Sequence, residues 1–240
     1  MDRDAFALMA QSERDHWWFR GRRFFIERAI RTLALPANAR VLDAGCGSGG
    51  NLPLLAQFGS VWGFEYDADA RAVAATLPGV TIDGGALPSP IPFEGVAFDL
   101  IGLFDVLEHL EEPVPSLSAL GKRLSPNGAL VITVPALPAL WGPHDETHHH
   151  YRRYTAATLR AHVLEAGLQV EYLTYMNTVL LPIAVLQRLK ERLFGYHVDA
   201  LMPSPFVNQL LFRLWRLERF FIPSGRLPIG LSLLAVVRKR

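Results

Sequence analysis

The sequence predicts an α/β fold, a largely parallel sheet with helices packed on its faces. Three observations predict it. Val41–Leu52 runs from bulky residues through an acid and a glycine cluster into Leu52, Leu54 and Leu55 at helical spacing. That reads as strand, tight turn and helix. Val61-Trp62-Gly63-Phe64-Glu65 reads as a strand that ends in an acid, about 20 residues beyond the glycine turn. Further strand-like runs at 80–82, 98–104, 130–135, 168–175 and 231–237 are separated by helical or loop segments, the pattern of a wound sheet.

Composition bounds the rest. The 240 residues suffice for one α/β domain with an insertion, and half of them are apolar. A net charge of +1 provides no broad basic field, so no nucleic-acid partner is expected. The single cysteine, Cys46, excludes an internal disulfide and fits a reducing compartment. Met1-Asp2-Arg3-Asp4 lacks a signal-peptide pattern, and no apolar run reaches the ~18–20 residues that span a bilayer. A cytoplasmic protein is expected, peripheral at most to the inner face of a membrane.

Residues 1–35 look helical and carry His16-Trp17-Trp18-Phe19-Arg20-Gly21-Arg22-Arg23. Three adjacent aromatics cannot share one helical face. The segment reads either as a core-packing helix with a basic face or as a lid, with Trp17, Trp18 or Phe19 over a ligand and Arg22 near a carboxylate.

The glycine turn raises the question of its ligand. Gly45 and Gly47 permit positive φ and close backbone approach. Gly45, Gly47 and Gly50 also match the G-x-G-x-x-G spacing of dinucleotide folds, a weak signal alone. Asp43 argues against a pyrophosphate, because a carboxylate at the same turn repels phosphate and favours a cation. S-adenosylmethionine is such a cation, with a sulfonium, an ammonium and a free ribose diol. At Asp43-Ala44-Gly45-Cys46-Gly47-Ser48-Gly49 the sequence resembles the class I, Rossmann-like S-adenosylmethionine-dependent methyltransferases. The resemblance spans roughly residues 38–175 plus 228–240. It implies a seven-stranded sheet in the order 3-2-1-4-5-7-6 with the last strand antiparallel. It also implies S-adenosylmethionine as cofactor, held by Asp43, Gly45, Cys46, Gly47 and Asn51, with Trp18 and Arg22 above. Glu65 would accept both ribose hydroxyls, with Tyr66 beside it.

A helix is expected over 68–77 and a third strand at Val80-Thr81-Ile82. Relatives often place an acid after that strand to hold the adenine amino group. This chain has Gly84-Gly85-Ala86-Leu87, so Asp83, or the backbone of Ala86 and Leu87, is expected to read the adenine. The fourth strand, Phe98–Phe104, leads into Asp105-Val106-Leu107-Glu108-His109. Ligands of wound sheets sit at the carboxyl ends of strands, so Phe104, Asp105, Glu108 and His109 should border the methyl group. The phrase Asp-Val-Leu-Glu-His resembles the ubiquinone- and menaquinone-biosynthesis-type branch.

Leu124–Ala129 reads as a turn around Pro126-Asn127-Gly128, and Leu130–Pro135 as the fifth strand. The loop 141–155 carries His144, Asp145, Glu146, His148, His149, His150, Tyr151, Arg152 and Arg153. Thr155 can cap a helix that Gly167 ends. A metal could be held by the histidines with His144, Asp145 or Glu146, but a general base or substrate anchor is the reading adopted, and no metal is assigned. His149, then His148 or Glu108, is expected to take the acceptor's proton. Trp17, His144, Tyr151 and Arg152 are expected on the acceptor side.

About 50 residues separate the sixth strand from the last, too many for an ordinary connection. They suggest two apolar helices, Val179–Phe194 and Pro205–Phe221. In the second, Phe206, Leu210, Leu214, Leu217 and Phe221 share one face, while Gln209, Arg213, Arg216 and Arg219 lie on another. Peripheral membrane contact through residues 179–221 or an apolar substrate cap fits this, as does packing on the domain or a dimer interface. The expected organisation is a helical lid (1–35), a cofactor-binding domain (36–176 with 228–240) and an insertion (177–227). The expected activity is methyl transfer to an oxygen or nitrogen of a small, apolar or lipid-linked acceptor. The rivals are an NAD(P)-dependent oxidoreductase, disfavoured by Asp43, and a non-catalytic S-adenosylmethionine-binding adaptor.

Overall fold

The computed structural model describes residues 15–195 and 203–240. Residues 1–14 of the expected lid and 196–202 of the insertion lie outside them. Seven strands form one sheet: β1 Arg40–Ala44, β2 Ser60–Glu65, β3 Val80–Gly84, β4 Phe98–Phe104, β5 Leu124–Pro135, β6 Leu168–Met176 and β7 Ser232–Lys239. Their order is β3-β2-β1-β4-β5-β7-β6, as expected. β7 runs antiparallel to both β5 and β6, and every other pairing is parallel. The central strand β4 is buried along almost its whole length, which is why it reads as a continuous apolar run rather than an alternating one.

The α-helices are α1 Trp17–Ile30, α2 Leu52–Leu55, α3 Ala68–Ala74, α4 Pro113–Arg123, α5 Pro143–Thr147, α6 Ala156–Glu165, α7 Leu181–Phe194 and α8 Pro205–Trp215, with short 3-10 segments at Leu107–His109, Pro138–Leu140 and Arg216–Phe220. Two apolar clusters sandwich the sheet. One gathers Phe25, Ile26, Leu52, Leu55 and Trp215, the other Leu107, Leu117, Leu120, Leu159 and Val163.

Two local expectations are corrected. The expected helix after the glycine turn is present and one turn long, from Leu52 to Leu55, with Ala56 as its cap. The turn at Pro126-Asn127-Gly128 is looped out of β5: Phe98 pairs with Leu124, but Leu100 pairs with Ala129. The second helix of the insertion leaves α geometry at Arg216 and continues as a 3-10 turn to Phe220.

The face that α8 buries is also not its longest apolar stripe. Asn208, Phe212 and Trp215 are buried, while Phe206, Leu210, Leu217 and Phe221 are exposed. The reason lies in α1. A Cβ on Gly21 would sit 2.1 Å from the Trp215 ring, so only glycine admits this close approach. Asn208 then ties the two helices, accepting from the Trp17 N–H at 2.7 Å and donating to the Asp15 carbonyl at 2.8 Å. Phe212 supports the Arg20 guanidinium 4.2 Å above its ring. At the other end, the buried Glu218 carboxylate accepts the backbone N–H groups of Asn177, Thr178 and Val179, which fixes the exit from β6.

Candidate active site

β1 and β4 end side by side, with Asp43 in register with Gly102 and, on the other flank, with Gly63 of β2. Their carboxyl ends open where the sheet order reverses, the usual ligand position in such sheets. Gly45 has φ 75°, and a Cβ there would lie 2.8 Å from Val106 Cγ2. The turn is thereby pressed against the segment after β4. Its amides are committed inward: Gly45 N and Cys46 N both donate to the Phe64 carbonyl, at 2.9 and 3.0 Å, and Gly49 N donates to Cys46 O at 2.9 Å. The Gly47 N–H donates to Glu65 Oε2 at 2.9 Å, and Asp67 N donates to Glu65 Oε1 at 2.9 Å. A diphosphate cradle needs such amides turned toward the ligand. Here two carboxylates, Glu65 and the buried Asp43, line the turn instead.

Asn51 is buried at the start of α2. The Cys46 thiol is pushed well up by burial, then by Asp43 and Glu65, so it is a packing group and not a nucleophile. Over the turn, Arg22 forms a buried ion pair with Asp105, whose Oδ2 also accepts from Thr133 Oγ1 at 3.1 Å. The Trp18 ring lies 4.9 Å from the same guanidinium. Asp105 itself has φ 54°, a left-handed conformation that turns the chain sharply out of β4.

The histidine loop borders a cleft next to the end of β2. This cleft of about 910 Å³ is lined by Tyr66 and Asp67 on one side and by His109, His148, His149 and Tyr151 on the other. The loop is built around Asp145, whose side chain is fully buried. Asp145 accepts from Arg153 Nε at 2.7 Å and from Gly142 N at 3.0 Å, and it bonds His150 Nδ1 at 2.9 Å. Burial alone would raise its pKa, but the His150 and Arg153 bonds outweigh that and hold the carboxyl below the ordinary range. Tyr151 N donates to Glu108 O at 2.8 Å, which stitches the loop to the segment after β4.

The imidazoles are packed together. His109 and His150 meet edge to face with centroids 4.6 Å apart, and His144 and His148 lie 4.2 Å apart. Burial, then the neighbouring His150 and His148, lowers His109 to about 4. Burial, then His148, lowers His144 to about 4. His148 is also lowered, by burial and then His150. The shifts favour the neutral imidazole, which keeps a nitrogen lone pair for a hydrogen bond or a ligand bond. Glu108 moves the other way: burial, reinforced by Asp105, raises its carboxyl well above the usual range.

A family model described as a methyltransferase domain matches residues 16–173, about two-thirds of the chain. The chain belongs to that family. A probable S-adenosylmethionine-dependent methyltransferase of Mycolicibacterium smegmatis is 30% identical over 162 residues, covering 65% of this chain and 61% of the relative. A ubiquinone biosynthesis O-methyltransferase of Xanthomonas axonopodis pv. citri is 30% identical over 155 residues, covering 57% of this chain and 65% of the relative. The chain thus spans a little over three-fifths of the length of these two curated relatives. Among solved structures, a putative methyltransferase of Haloferax volcanii in complex with the Trm112 activator aligns with a TM-score of 0.64 at 17% identity, over 98% of this chain and 94% of that one. That likeness is one of fold.

Of the residues singled out from the sequence, Tyr66, His109, His148, His149 and Tyr151 line the cleft of this methyltransferase domain, and several others lie elsewhere. Trp17 packs edge-on against Trp215, 5.9 Å away, because Asn208 holds its backbone there. It faces the insertion instead of an acceptor. His144 stands behind His148, and the Arg152 guanidinium donates to the Glu111 carbonyl at 3.1 Å. At the adenine end an acid cannot replace Gly85, since a Cβ would sit 2.6 Å from Pro92 Cδ. The Ala86 N–H, expected to read adenine, already donates to Pro90 O at 2.8 Å. Asp83 is exposed and takes the Gly84 N–H at 2.7 Å. Leu87 is half-buried beside them, Tyr66 is 82% exposed at the cleft mouth, and Phe104 is buried at the end of β4. Sequence reading gave no central place to Asp145, His150 and Arg153. Their partnership spans five and eight positions in a loop, and no secondary-structure period predicts it.

Proposed function

We propose that this chain is an S-adenosylmethionine-dependent methyltransferase acting on an oxygen or nitrogen of a small apolar or lipid-linked acceptor. The observation that carries the cofactor is the inward commitment of the glycine-turn amides, with Glu65 locked by Gly47 and Asp67 beside buried Asp43. That lining suits a cation with a diol and repels a diphosphate. It weighs equally against the nicotinamide reading. S-adenosylmethionine supplies an activated methyl group on a positively charged sulfur. Glu65 accepts the ribose hydroxyls, Asp43 adds negative charge at the β1 end, and Arg22 with Asp105 closes the site from above.

The chain's own contribution is alignment and proton removal. His149 and His148 line the cleft together with Tyr66 and Asp67, which follow Glu65, and take the acceptor's proton. Glu108 is unsuited to that task, because its carboxyl is buried and does not line the cleft. An apolar tail has a place in a second cavity of about 390 Å³, lined by Leu137, Leu140, Leu181, Val185 and Leu189. Leu140 lines this groove and the next residue, Trp141, lines the cleft. The first insertion helix, α7, thus caps the acceptor. The exposed Leu186, Leu193 and Phe194 of α7, with Phe206, Phe220 and Phe221, offer an apolar surface to a lipid interface. Among the described residues no helix is long and apolar enough to cross a membrane.

Calorimetric titration with S-adenosylhomocysteine and with NADH tests the cofactor. Binding of the first and not the second is expected, and the reverse overturns the reading. Methyl release to quinol, phenol and amine amphiphiles tests the acceptor class. Turnover is expected to fall about 10²–10⁴-fold when both His148 and His149 are replaced by alanine, whereas tight cofactor binding with no turnover on any of these acceptors would favour the adaptor reading. Sedimentation with anionic vesicles tests the lipid surface, and no sedimentation would remove that part.

A further inference from the structure

Two segments that lie about 40 positions apart meet beside the cleft. Glu108 and His109 follow β4, and His150 closes the loop after β5. One ligating atom from each lies within 4.8 Å of the others. Each group is already oriented. His150 has Nδ1 tied to Asp145 at 2.9 Å, which leaves Nε2 for another partner. One His109 nitrogen is engaged by the His148 backbone, and the ring sits edge to face on His150. The Glu108 side chain is 1% exposed, and its Oε2 has no hydrogen-bond partner among the described residues. A buried carboxyl oxygen left without a partner is costly, and a native site usually has a reason for one.

We propose that Glu108, His109 and His150 bind a divalent first-row metal ion, most simply Zn²⁺. Two imidazoles and one carboxylate are a familiar set for such an ion, with a position left open for water or substrate. Zinc bonds of about 2.0–2.2 Å put tetrahedral ligand atoms about 3.4 Å apart. Small rotations of the rings and of the Glu108 carboxylate close the present separation to that. The Asp145–His150 pair and the His148 contact on His109 are the outer partners that fix ring orientation in metal sites. His109 and His150 also line the cleft, so the open position faces the space assigned above to the acceptor. A hard, oxygen-preferring ion such as Mg²⁺ is a poor match for two nitrogens.

The test uses the full chain stripped with a chelator and titrated with Zn²⁺ against a chromophoric competitor. Co²⁺ serves as a visible-absorption probe. One equivalent is expected, with Mg²⁺ unable to compete. His109→Ala and His150→Ala are each expected to weaken binding by more than the about tenfold that losing an outer partner costs. His144→Ala should leave binding unchanged. Binding of S-adenosylhomocysteine by each variant checks folding and separates this proposal from the cofactor reading. If His150→Ala does not fold, His109→Ala decides, because His109 is the most exposed of the three residues. Absence of stoichiometric binding to a chain that still binds S-adenosylhomocysteine would overturn the site. So would binding that survives His109→Ala, or that is lost with His144→Ala.

Discussion

The glycine wall, at the turn after β1, and the histidine wall, at the loop after β5, are held by different means. The glycine wall is mostly backbone: Phe64 O collects the amides of Gly45 and Cys46, and the Glu65 carboxylate adds one side-chain acceptor for Gly47 N, so the turn keeps its shape wherever β1 and β2 pair. The histidine wall hangs on one buried side chain, Asp145, which gathers His150, Arg153 and the Gly142 amide. A wall built on backbone tolerates side-chain change. A wall built on one carboxylate concentrates its vulnerability there, and the two should fail separately.

The largest expected effect is therefore Asp145→Ala. Removing one partner leaves Arg153 buried beside an unpaired His150, which costs about 3–5 kcal/mol. Urea unfolding measures it. Among molecules that remain folded, affinity for S-adenosylhomocysteine should change by no more than about twofold, as for sites without shared partners. An equal loss of affinity would merge the walls into one unit.

Glu65→Ala is the converse. It should weaken S-adenosylhomocysteine by about 1–3 kcal/mol, the size of a charge-assisted bond, with the histidine wall intact by proton NMR of its imidazoles. Unchanged affinity would remove Glu65 from the site. Gly45→Ala should cost about 1–2 kcal/mol of stability, because φ is 75° and the new methyl meets Val106. A neutral result would mean that the turn is less fixed than its hydrogen bonds imply.

His149 sharpens the comparison from the other side, since it holds φ 55° with a side chain. His149→Gly should be more stable than His149→Ala by about 1 kcal/mol, although neither retains the imidazole. Equal melting temperatures would count against strain there. The smallest effect is on Cys46. Buried and with its thiol pushed up, it should resist alkylation in the native chain, and rapid labelling would show the turn to be open.

Legibility followed the same division. The glycine wall could be read because strand, turn and acid occur at fixed separations along the chain. Asp43, Gly45 and Glu65 lie where their spacing puts them, and the sheet order implied by the resemblance is the order found. The histidine wall was read as a list of capable residues without an arrangement. Trp17 and α8 mark a different limit. Their apolar character was plain, but the face each buries depended on Gly21 admitting Trp215.

By itself the sequence determined the α/β sheet, the negatively lined turn and the presence of an insertion. Those follow from local periodicity and short-range spacing, which backbone geometry turns directly into structure. Only the tertiary structure decided that Asp145 organises the loop, that Glu108 is buried next to His109 and His150, and that α8 seats on α1. Each of these is a contact between segments distant in the chain, set by packing and desolvation, and neither has a period to read.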